Sequence, residues 1–262
     1  MRIGFIGAGR MGAPMVRRLV GAGHEVRALG RTGEKRAAVE ELGAQAVGDT
    51  AAVADSADLV VICVFTDDQV KQLCLDGDLV ERMRPGAVLV LHTTGSPRTA
   101  QSITARFDHV DVVDAPVSGG PHDIAAGSVT LFVGGSDDAV ARVRPVLEAY
   151  GDPILHAGPT GAGQLVKLVN NTLFAAQIGL VAEGVRLGSR LGVEEGPLLT
   201  ALTHGSAQSR VLSMIASAGS ADAFISAVGE FISKDVAVVR NTVGELGGDL
   251  GDLEPLVNGV MP

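Results

Sequence analysis

The sequence has no tryptophan and one tyrosine, and aromatic residues make up only 3% of its 262 residues. Basic and aromatic residues are not interleaved anywhere in it, and its formal net charge is −9. Proteins that bind nucleic acids need grouped lysine and arginine side chains for the phosphates, and those that bind single strands need stacking rings as well. The composition therefore predicts no nucleic-acid partner.

Cysteine is scarce too, with only Cys63 and Cys74 in the chain. Their spacing fits neither a disulfide framework nor a metal site, and His92, His122 and His204 are not spaced as metal ligands. No apolar run approaches the roughly 20 residues that span a bilayer, and the N-terminal segment does not resemble a secretory signal. We therefore expect a cytoplasmic protein with no bound metal and no membrane partner.

The first half of the sequence alternates short apolar segments with helical segments. Strands are predicted at Arg2–Gly7, Glu25–Leu29, Leu59–Val64, Ala87–Leu91, Val110–Asp114 and Val129–Val133. Helices are predicted at Met11–Val20, Glu34–Leu42, Asp67–Cys74 and Asp137–Tyr150. This alternation is typical of an α/β protein in which a doubly wound, mostly parallel sheet carries helices on both faces.

The pattern changes after Gly158. Helices are predicted from there on at Gln164–Leu191, Pro197–Thr203, Val211–Ala218 and Phe231–Glu245. We therefore expect an N-terminal Rossmann domain over residues 1–158 and a C-terminal all-helical domain over residues 159–262. The segment Gly247–Pro262 is rich in glycine, aspartate and proline, and we expect it to be loosely held.

The strongest local signal is a glycine-rich turn that follows the first strand and opens a helix. Its residues are Gly7, Ala8, Gly9, Arg10, Met11 and Gly12. In such a turn the first glycine permits a tight bend, the second lets the backbone approach a pyrophosphate, and the third lets helix and strand pack closely. A glycine-rich turn without a ligand is the alternative, but the flanking strands favour a dinucleotide site.

The end of the second strand indicates which dinucleotide is bound. NAD-binding domains usually place an acidic residue there, roughly 20 residues after the glycines, to bond the ribose 2′-hydroxyl. This sequence has Arg31 and Thr32 instead, followed by Lys35 and Arg36. A guanidinium and a hydroxyl suit a 2′-phosphate, so we predict NADP and leave NAD open. A solvated basic turn is the alternative interpretation.

Two later segments contain polar groups that could bind a substrate or take part in a reaction. Residues 114–121 end a strand and enter a helix through Gly119 and Gly120, whose backbone amides are expected to be free to meet an anion, with the Ser118 hydroxyl beside them. Residues 158–171 bring glycines into the start of the long helix, where Lys167 and Asn171 share one face. Considered alone, residues 114–121 could be a plain strand-to-helix turn, and Lys167 could be an ordinary solvated lysine.

Taken in order, these segments resemble the β-hydroxyacid dehydrogenases, which are the 3-hydroxyisobutyrate dehydrogenase family and include several semialdehyde reductases. The resemblance covers nearly the whole chain and rests on the turn at 7–12, Asp-Ala-Pro-Val-Ser-Gly-Gly at 114–120, Gly-x-Gly-x-x-x-Lys-x-x-x-Asn at 161–171 and Lys234-Asp235. It implies an enzyme that moves a hydride between NADP(H) and a small 3-hydroxy acid or semialdehyde. It also implies a substrate cleft between the two domains and a homodimer or higher homo-oligomer.

The resemblance gives Lys167 the role of catalytic acid/base, with Asn171 as its partner on the helix. It places the substrate carboxylate at Ser118, Gly119 and Gly120. An unperturbed lysine, with a pKa near ~10.4, is a poor base at neutral pH. Partial burial and the charge of Lys234 are therefore expected to lower the pKa of Lys167.

The remaining residues that the resemblance implies lie around the cofactor. Thr94 would contact both nicotinamide and substrate, and the cofactor would be lined by Val64, Phe65, Thr66 and Lys234. Thr66 replaces a proline common in the family, which is expected to loosen that loop. Gly30 replaces an asparagine found in NADP-preferring members, which is expected to remove one contact to the adenosine side.

Two other functions remain open. Imine reductases share this architecture and cofactor preference but generally lack the catalytic lysine, so Lys167 favours the dehydrogenase. A dinucleotide-binding scaffold without activity is the second alternative, and the intact pair of Lys167 and Asn171 argues against it. The chain ends about 28 residues after Lys234, earlier than most relatives, so the terminal helices are expected to be short.

Overall fold

The computed structural model describes residues 1–258, apart from the side chains of Glu230 and Phe231. The chain divides into two compact units, Met1–Lys167 and a second unit that begins at Leu168. The sequence predicts a boundary at residue 158. The division lies nine residues later, inside a helix that begins at Ala162.

Nine strands of the described residues form one sheet in the first unit. They are β1 Arg2–Ile6, β2 Glu25–Leu29, β3 Gln45–Val47, β4 Leu59–Ile62, β5 Val88–Leu91, β6 Asp111–Asp114, β7 Val117–Ser118, β8 Val129–Gly134 and β9 Gly151–Gly158. The order is β3-β2-β1-β4-β5-β6-β8-β7, and β9 also pairs with β8. Strands β1 to β6 pair in parallel, whereas β8 runs antiparallel to β6 and β7. The prediction of a doubly wound, mostly parallel Rossmann sheet is confirmed.

Helices cover both faces of this sheet. They are α1 Gly12–Gly21, α2 Gly33–Glu40, α3 Thr50–Ala54, α4 Asp67–Cys74, α5 Pro97–Arg106, α6 Pro121–Ala126 and α7 Asp137–Leu147. Leu19 of α1 and Val143 of α7 belong to one buried apolar cluster, and Val70 of α4 and Ile103 of α5 belong to the other. Because β4 and β5 are covered on both sides, every residue of these two strands is buried.

The connections of the sheet determine where a ligand can bind. The chain leaves β1 for β2 on one side, while β4 pairs with β1 on the other, so the strand order reverses between β1 and β4. Ligands of open α/β sheets bind at the carboxyl ends of the strands beside such a reversal. The predicted cofactor segments 7–12 and 64–66 directly follow these two strands.

The second unit, as far as it is described, is helical. Helix α8 spans Ala162–Arg190 and so begins in the first unit; the others are α9 Glu195–Leu202, α10 Arg210–Ala218, α11 Ala221–Glu245 and α12 Glu254–Asn258, which follows a 3-10 turn at Gly251–Leu253. The core of this unit contains Ile178 of α8, Ile215 of α10, Val236 of α11 and Val257 of α12.

Helix α8 is long and apolar enough, by length and composition alone, to cross a membrane. Helix α10 and the first part of α11 pass the same test together, although they are bent by 100°. Half of the most apolar window of α8 is buried, and core helices of soluble proteins also pass this test, so the evidence for a membrane span is weak. Because polar residues interrupt α8, a search for uninterrupted apolar runs does not detect it.

Several elements differ from the sequence prediction. Strands β3 and β9 are missing from it, because β3 has only three residues and β9 contains a proline. Helix α11 begins at Ala221 rather than Phe231, and the Ser220 side chain caps it by accepting the N–H of Ala223. The segment expected to be loosely held forms the 3-10 turn and α12, where Val257 is fully buried; residues 259–262 of that segment lie outside the described residues.

Candidate active site

The glycine-rich turn between β1 and α1 is closely packed at its two outer glycines and open at the middle one. A Cβ atom on Gly7, whose φ is +101°, would lie 2.2 Å from the carbonyl oxygen of Cys63, and one on Gly12 would lie 2.1 Å from that of Gly7. A Cβ on Gly9 would meet no atom within 4 Å. Helix α1 begins here with no side-chain cap and no acidic residue in its first turn. Close packing therefore requires the outer glycines, and the middle one faces open space at the N-terminus of α1.

The loop after β4, which contains Val64, Phe65 and Thr66, is firmly held. The Gln69 side chain accepts the backbone N–H groups of Phe65 at 2.9 Å and of Thr66 at 3.1 Å, and the Thr66 hydroxyl accepts the N–H of Gln69 at 3.3 Å. This capping box uses a backbone N–H that proline lacks. The expected loosening of the loop by Thr66 is therefore wrong.

The loop after β2 places basic side chains at the strand end. Thr32 caps α2 by accepting the N–H of Lys35 at 3.2 Å, and Arg31 beside it is exposed. The Arg36 guanidinium donates to the carbonyl oxygen of Gly30 at 3.3 Å. A Cβ on Gly30 would lie 2.8 Å from the backbone nitrogen of Arg36. The absence of a side chain at Gly30 thus lets Arg36 pack against the backbone at the end of β2.

The buried carboxylate of Asp114, at the end of β6, caps helix α8. Its Oδ1 accepts the backbone N–H of Gly161 at 2.6 Å, and its Oδ2 accepts that of Gln164 at 2.8 Å. Burial raises the pKa of Asp114, and these backbone N–H groups act in the opposite direction. An anion at the N-terminus of a helix interacts favourably with the helix dipole, so Asp114 fixes where α8 begins.

The side chain of Gln164, in the first turn of α8, holds the loop after β5. Its Oε1 accepts the N–H of Gly95 at 3.0 Å, and its Nε2 donates to the carbonyl oxygen of Thr93 at 2.8 Å. The Thr93 hydroxyl in turn accepts the N–H of Val64 and donates to its carbonyl oxygen, both at 3.0 Å. The structure thus joins the ends of β4 and β5, with half-buried Thr94 between the two held groups, to the start of α8.

Lys167 lies in α8 shortly after this first turn, and it is buried, with 9% of its surface exposed. Asn171 follows one helical turn later and is buried too. The Asn171 amide donates to Oδ2 of Asp235 at 2.8 Å, and the Lys234 ammonium lies 3.1 Å from the other oxygen of that carboxylate. The Oδ1 of Asn171 accepts the side-chain amide of Asn170 at 3.3 Å. Asp235, a residue without a role in the sequence-based prediction, therefore holds the amide nitrogen of Asn171 and pairs the charge of Lys234.

We expected the backbone N–H groups of Gly119 and Gly120, beside Ser118, to be free to bind an anion, and the structure differs at one of them. The N–H of Gly120 donates to Oδ2 of Asp123 at 2.6 Å, and the other oxygen of Asp123 lies 3.2 Å from the exposed His122 ring. The expectation is therefore wrong for Gly120, because a carboxylate of the chain itself already accepts its N–H. An acidic residue three positions after a cap is a capping-box pattern, so the sequence carried this signal.

A buried polar pair lies beneath the loop after β5. Nδ1 of His92 is 2.6 Å from the carbonyl oxygen of Ala115, so it carries the proton, and Nε2 accepts from the hydroxyl of Tyr150 at 2.8 Å. Burial lowers the pKa of His92 to about 4, against the opposing effect of the Ala115 carbonyl. The ring is thus neutral and belongs to a buried polar network with Ala115 and Tyr150. Among the described residues, no group of three or more histidine, cysteine or acidic side chains is arranged to hold a metal ion.

Comparisons with known proteins agree with this geometry. Residues 2–158 match the family described as the NAD-binding domain of 6-phosphogluconate dehydrogenase. Residues 161–251 match the family described as the NAD-binding region of NADP-dependent 3-hydroxyisobutyrate dehydrogenase. Together the two matches cover both units of the chain.

Individual relatives give the same result. The NAD-dependent L-serine dehydrogenase of Pseudomonas aeruginosa is 37% identical over 196 residues, which are 74% of this chain and 66% of that protein. The 3-hydroxyisobutyrate dehydrogenase of the same organism is 34% identical over 207 residues, which are 78% of this chain and 70% of that protein. The structure of Mycobacterium tuberculosis 3-hydroxyisobutyrate dehydrogenase with L-serine has a TM-score of 0.88 and is 27% identical, and the match covers 98% of this chain and 91% of that one. The chain therefore belongs to the 3-hydroxyisobutyrate dehydrogenase family of NAD(P)-dependent oxidoreductases that act on CH–OH groups.

Proposed function

We propose that this chain transfers a hydride between NADP(H) and a small 3-hydroxy acid or its semialdehyde, with Lys167 as the general acid/base. One observation carries the proposal. A buried lysine lies just after the first turn of α8, and that turn is fixed by Asp114 and joined through Gln164 to the loop that contains Thr94. A buried lysine is uncommon, and it needs a structural or chemical reason.

The chain's own residues supply the proton chemistry. In reduction, the Lys167 ammonium donates a proton to the carbonyl oxygen of the substrate; in oxidation, neutral Lys167 removes the proton of the hydroxyl group. Asn171, whose amide nitrogen is bound to Asp235 and whose Oδ1 accepts from Asn170, keeps a second lone pair on Oδ1 to accept from the substrate hydroxyl or from the Lys167 ammonium. When bound, the nicotinamide supplies the hydride for reduction or takes it up in oxidation.

The cofactor assignment combines the turn and the basic strand end. The residues proposed to hold the dinucleotide are Gly7, Ala8, Gly9, Arg10, Met11, Gly12, Val64, Phe65, Thr66, Thr94 and Lys234. The preference for NADP rests on Arg31 and Thr32, with Arg36 packed beside them over Gly30. Their charges and hydroxyl suit a 2′-phosphate, and no acidic side chain follows β2 directly to bond a 2′-hydroxyl.

The substrate proposal follows from the relatives and from the turn after β6. The relatives named for 3-hydroxyisobutyrate and L-serine act on small acids with a hydroxyl group on carbon 3. We assign the substrate carboxylate to Ser118, Gly119 and Gly120, where it meets the competing carboxylate of Asp123. A small acid whose carboxylate replaces that of Asp123 at the Gly120 amide is the class of substrate that we propose.

The proposal also covers the roles of the two domains, the oligomeric state and the cellular location. Residues 1–158 would bind the cofactor, and residues 159–262 would form the substrate and dimerisation domain. A homodimer or higher homo-oligomer is supported by an exposed apolar stripe on α8, which we define as Val169, Leu173, Leu180 and Leu187. The cytoplasmic location stays a prediction from the sequence.

The test is an assay at the reduced-nicotinamide absorbance band. NADPH and NADH are offered with glyoxylate, succinic semialdehyde and methylmalonate semialdehyde, and NADP⁺ and NAD⁺ are offered with 3-hydroxyisobutyrate and L-serine. We expect Lys167→Ala to lower kcat by about 10²- to 10⁴-fold while NADPH still binds, since general acid–base catalysis contributes about that much. Lys71→Ala, which removes a half-exposed lysine paired with Asp67, is the matched control.

The outcomes separate the alternatives. Turnover that favours NADPH and depends on Lys167 supports the proposal. Near-wild-type turnover by Lys167→Ala would contradict the role of the lysine. NADPH binding without turnover of any of these compounds would favour an imine substrate or a scaffold without activity.

A further inference from the structure

The side chain of Gln164 is a buried amide in the first unit, and it forms two hydrogen bonds with the backbone of another loop. Only 3% of its surface is exposed, yet both ends of its amide are used. The oxygen accepts the N–H of Gly95, and the nitrogen donates to the carbonyl oxygen of Thr93. One side chain thus bonds the backbone on both sides of Thr94, and the same residue gives its own backbone N–H to Asp114.

This arrangement requires the chemistry of an amide. One end must accept and the other must donate, which among side chains of this length glutamine does without a charge. Methionine, of similar size, would leave the N–H of Gly95 and the carbonyl of Thr93 buried without this partner. Glutamate would keep the acceptor for Gly95 but would turn a second acceptor toward the Thr93 carbonyl.

The residues joined in this way are those that the proposed reaction brings together. Gln164 lies three residues before Lys167 in α8, and Thr94 lies between the two backbone groups that Gln164 holds. Thr93 continues the connection to Val64, so the ends of β4 and β5 and the start of α8 form one hydrogen-bonded unit. The distance between a residue at the nicotinamide and the proton donor therefore depends on the Gln164 amide.

We propose that Gln164 is a positioning residue of the hydride transfer, which holds Thr94 in register with Lys167. The inference rests on the proposed function, since it presupposes the roles of Thr94 and Lys167. Gln164 touches neither cofactor nor substrate in this proposal, and it acts through the loop at residues 93–95. A misplacement of about 1 Å in a reacting geometry can cost about 100-fold in rate, so a small shift of this loop is measurable.

The experiment compares Gln164→Met, Gln164→Glu and the control Gln101→Met in the full-length protein. Gln101 is matched because its amide also donates to a backbone carbonyl, that of Thr160 at 3.4 Å, but from an exposed position. For each variant, kcat, KM, the Kd of NADPH and the isotope effect with NADPH deuterated at the transferred position are measured. Hydrogen exchange of the Gly95 amide gives a readout that needs no activity.

We expect Gln164→Met to lower kcat by about 10- to 100-fold, to raise the isotope effect, and to change the Kd of NADPH by less than about threefold. Gln164→Glu, which keeps the acceptor for Gly95 but turns a second acceptor toward the Thr93 carbonyl, should also lower kcat, and Gln101→Met should behave as the wild type. Gly95 should exchange faster in Gln164→Met. These results together would establish the positioning role.

Two results would overturn it. One is an unchanged kcat in Gln164→Met; the other is a loss of kcat that matches the loss of folded protein, with an unchanged isotope effect. If the wild type turns over no substrate, the proposed function fails instead, and Gly95 exchange then decides whether Gln164 holds the loop. Exchange equal to that of the wild type would reject the inference.

Discussion

The carboxylate of Asp114 accepts the backbone N–H of Gln164 at 2.8 Å, in a position with no exposure to solvent. Asp114 ends strand β6, and Gln164 lies in the first turn of α8, so one hydrogen bond connects the sheet to the helix that carries Lys167. The pKa of Asp114 is raised by burial, and the cap offsets part of that cost. The start of α8 is therefore sensitive to the chemistry of this one side chain.

Replacing Asp114 by Asn is expected to destabilise the protein. The amide NH₂ would face a backbone N–H, and one of the two hydrogen bonds would be lost in a buried site, at a cost of about 1–3 kcal/mol. This loss of stability is measured as the change in the free energy of unfolding, obtained from urea titration. The control is Asp111→Asn on the same strand, where the carboxylate forms a half-exposed ion pair with Arg142 and about 0–1 kcal/mol is expected. Equal losses in the two variants would contradict the role of the cap.

Arg31→Ala is expected to weaken the discrimination between the two cofactors. If the Arg31 guanidinium bonds the 2′-phosphate, its removal raises the KM for NADPH by about 10-fold or more and leaves that for NADH nearly unchanged. Steady-state kinetics with both cofactors measure this. Arg27→Ala, which lies on the strand that precedes the Arg31 loop and is paired with Asp55, is the control. An equal effect on both cofactors would show that Arg31 does not read the 2′-position.

Asp123→Asn is expected to improve the binding of acidic substrates. The Asp123 carboxylate accepts the N–H of Gly120. If the substrate carboxylate binds at this turn as proposed, Asp123 would compete with it and repel it. We expect the KM for a hydroxy acid to fall by about 3- to 10-fold, with little change for an uncharged analogue. Asp138→Asn, in the first turn of α7, is the control. A higher KM in Asp123→Asn would mean that the carboxylate supports the turn and does not compete.

His92 is expected to make the stability of the protein depend on pH. Burial lowers the pKa of His92 to about 4, below its usual value of 6.5, so below about pH 6.5 the unfolded chain binds a proton that the folded one does not. Stability should fall as the pH drops from 6.5 toward 4, by up to about 1.4 kcal/mol per pH unit. Urea unfolding at several pH values should show a smaller slope for His92→Gln than for the control His122→Gln, whose ring is exposed. Equal slopes would contradict this origin.

The exposed apolar stripe on α8 is expected to be covered by a second copy of the chain. Its members follow one another at intervals of four or seven residues, so they lie along one side of the helix. Leu180→Glu should shift the protein from a homo-oligomer to a monomer in sedimentation velocity. Ser189→Glu, at an exposed position on the opposite side of α8, should not. A monomeric wild type would reject the oligomer.

The sequence predicts those parts of the fold and site that depend on neighbouring residues. The glycine turn, the basic strand end and the pair of Lys167 and Asn171 are local patterns, and the alternation of segments specifies the Rossmann sheet. The hydrogen bond between Asn171 and Asp235 joins residues 64 positions apart, and no periodicity indicates such a pairing. The hydrogen bond from Gly120 to Asp123, in contrast, joins residues three positions apart. It could have been predicted from the capping-box pattern, although we expected the Gly120 amide to be free.

The turn at residues 7–12 separates the requirements of folding from those of binding within six residues. Side chains at Gly7 and Gly12 would collide with backbone, whereas one at Gly9 would enter empty space. Folding therefore constrains the outer two positions, whereas the proposed binding of a dinucleotide would constrain the middle one. Once catalysis is no longer under selection, Gly9 can drift while the architecture persists. If the middle glycine contacts the coenzyme as proposed, a larger residue at this position in a descendant would be compatible with the fold but not with the coenzyme.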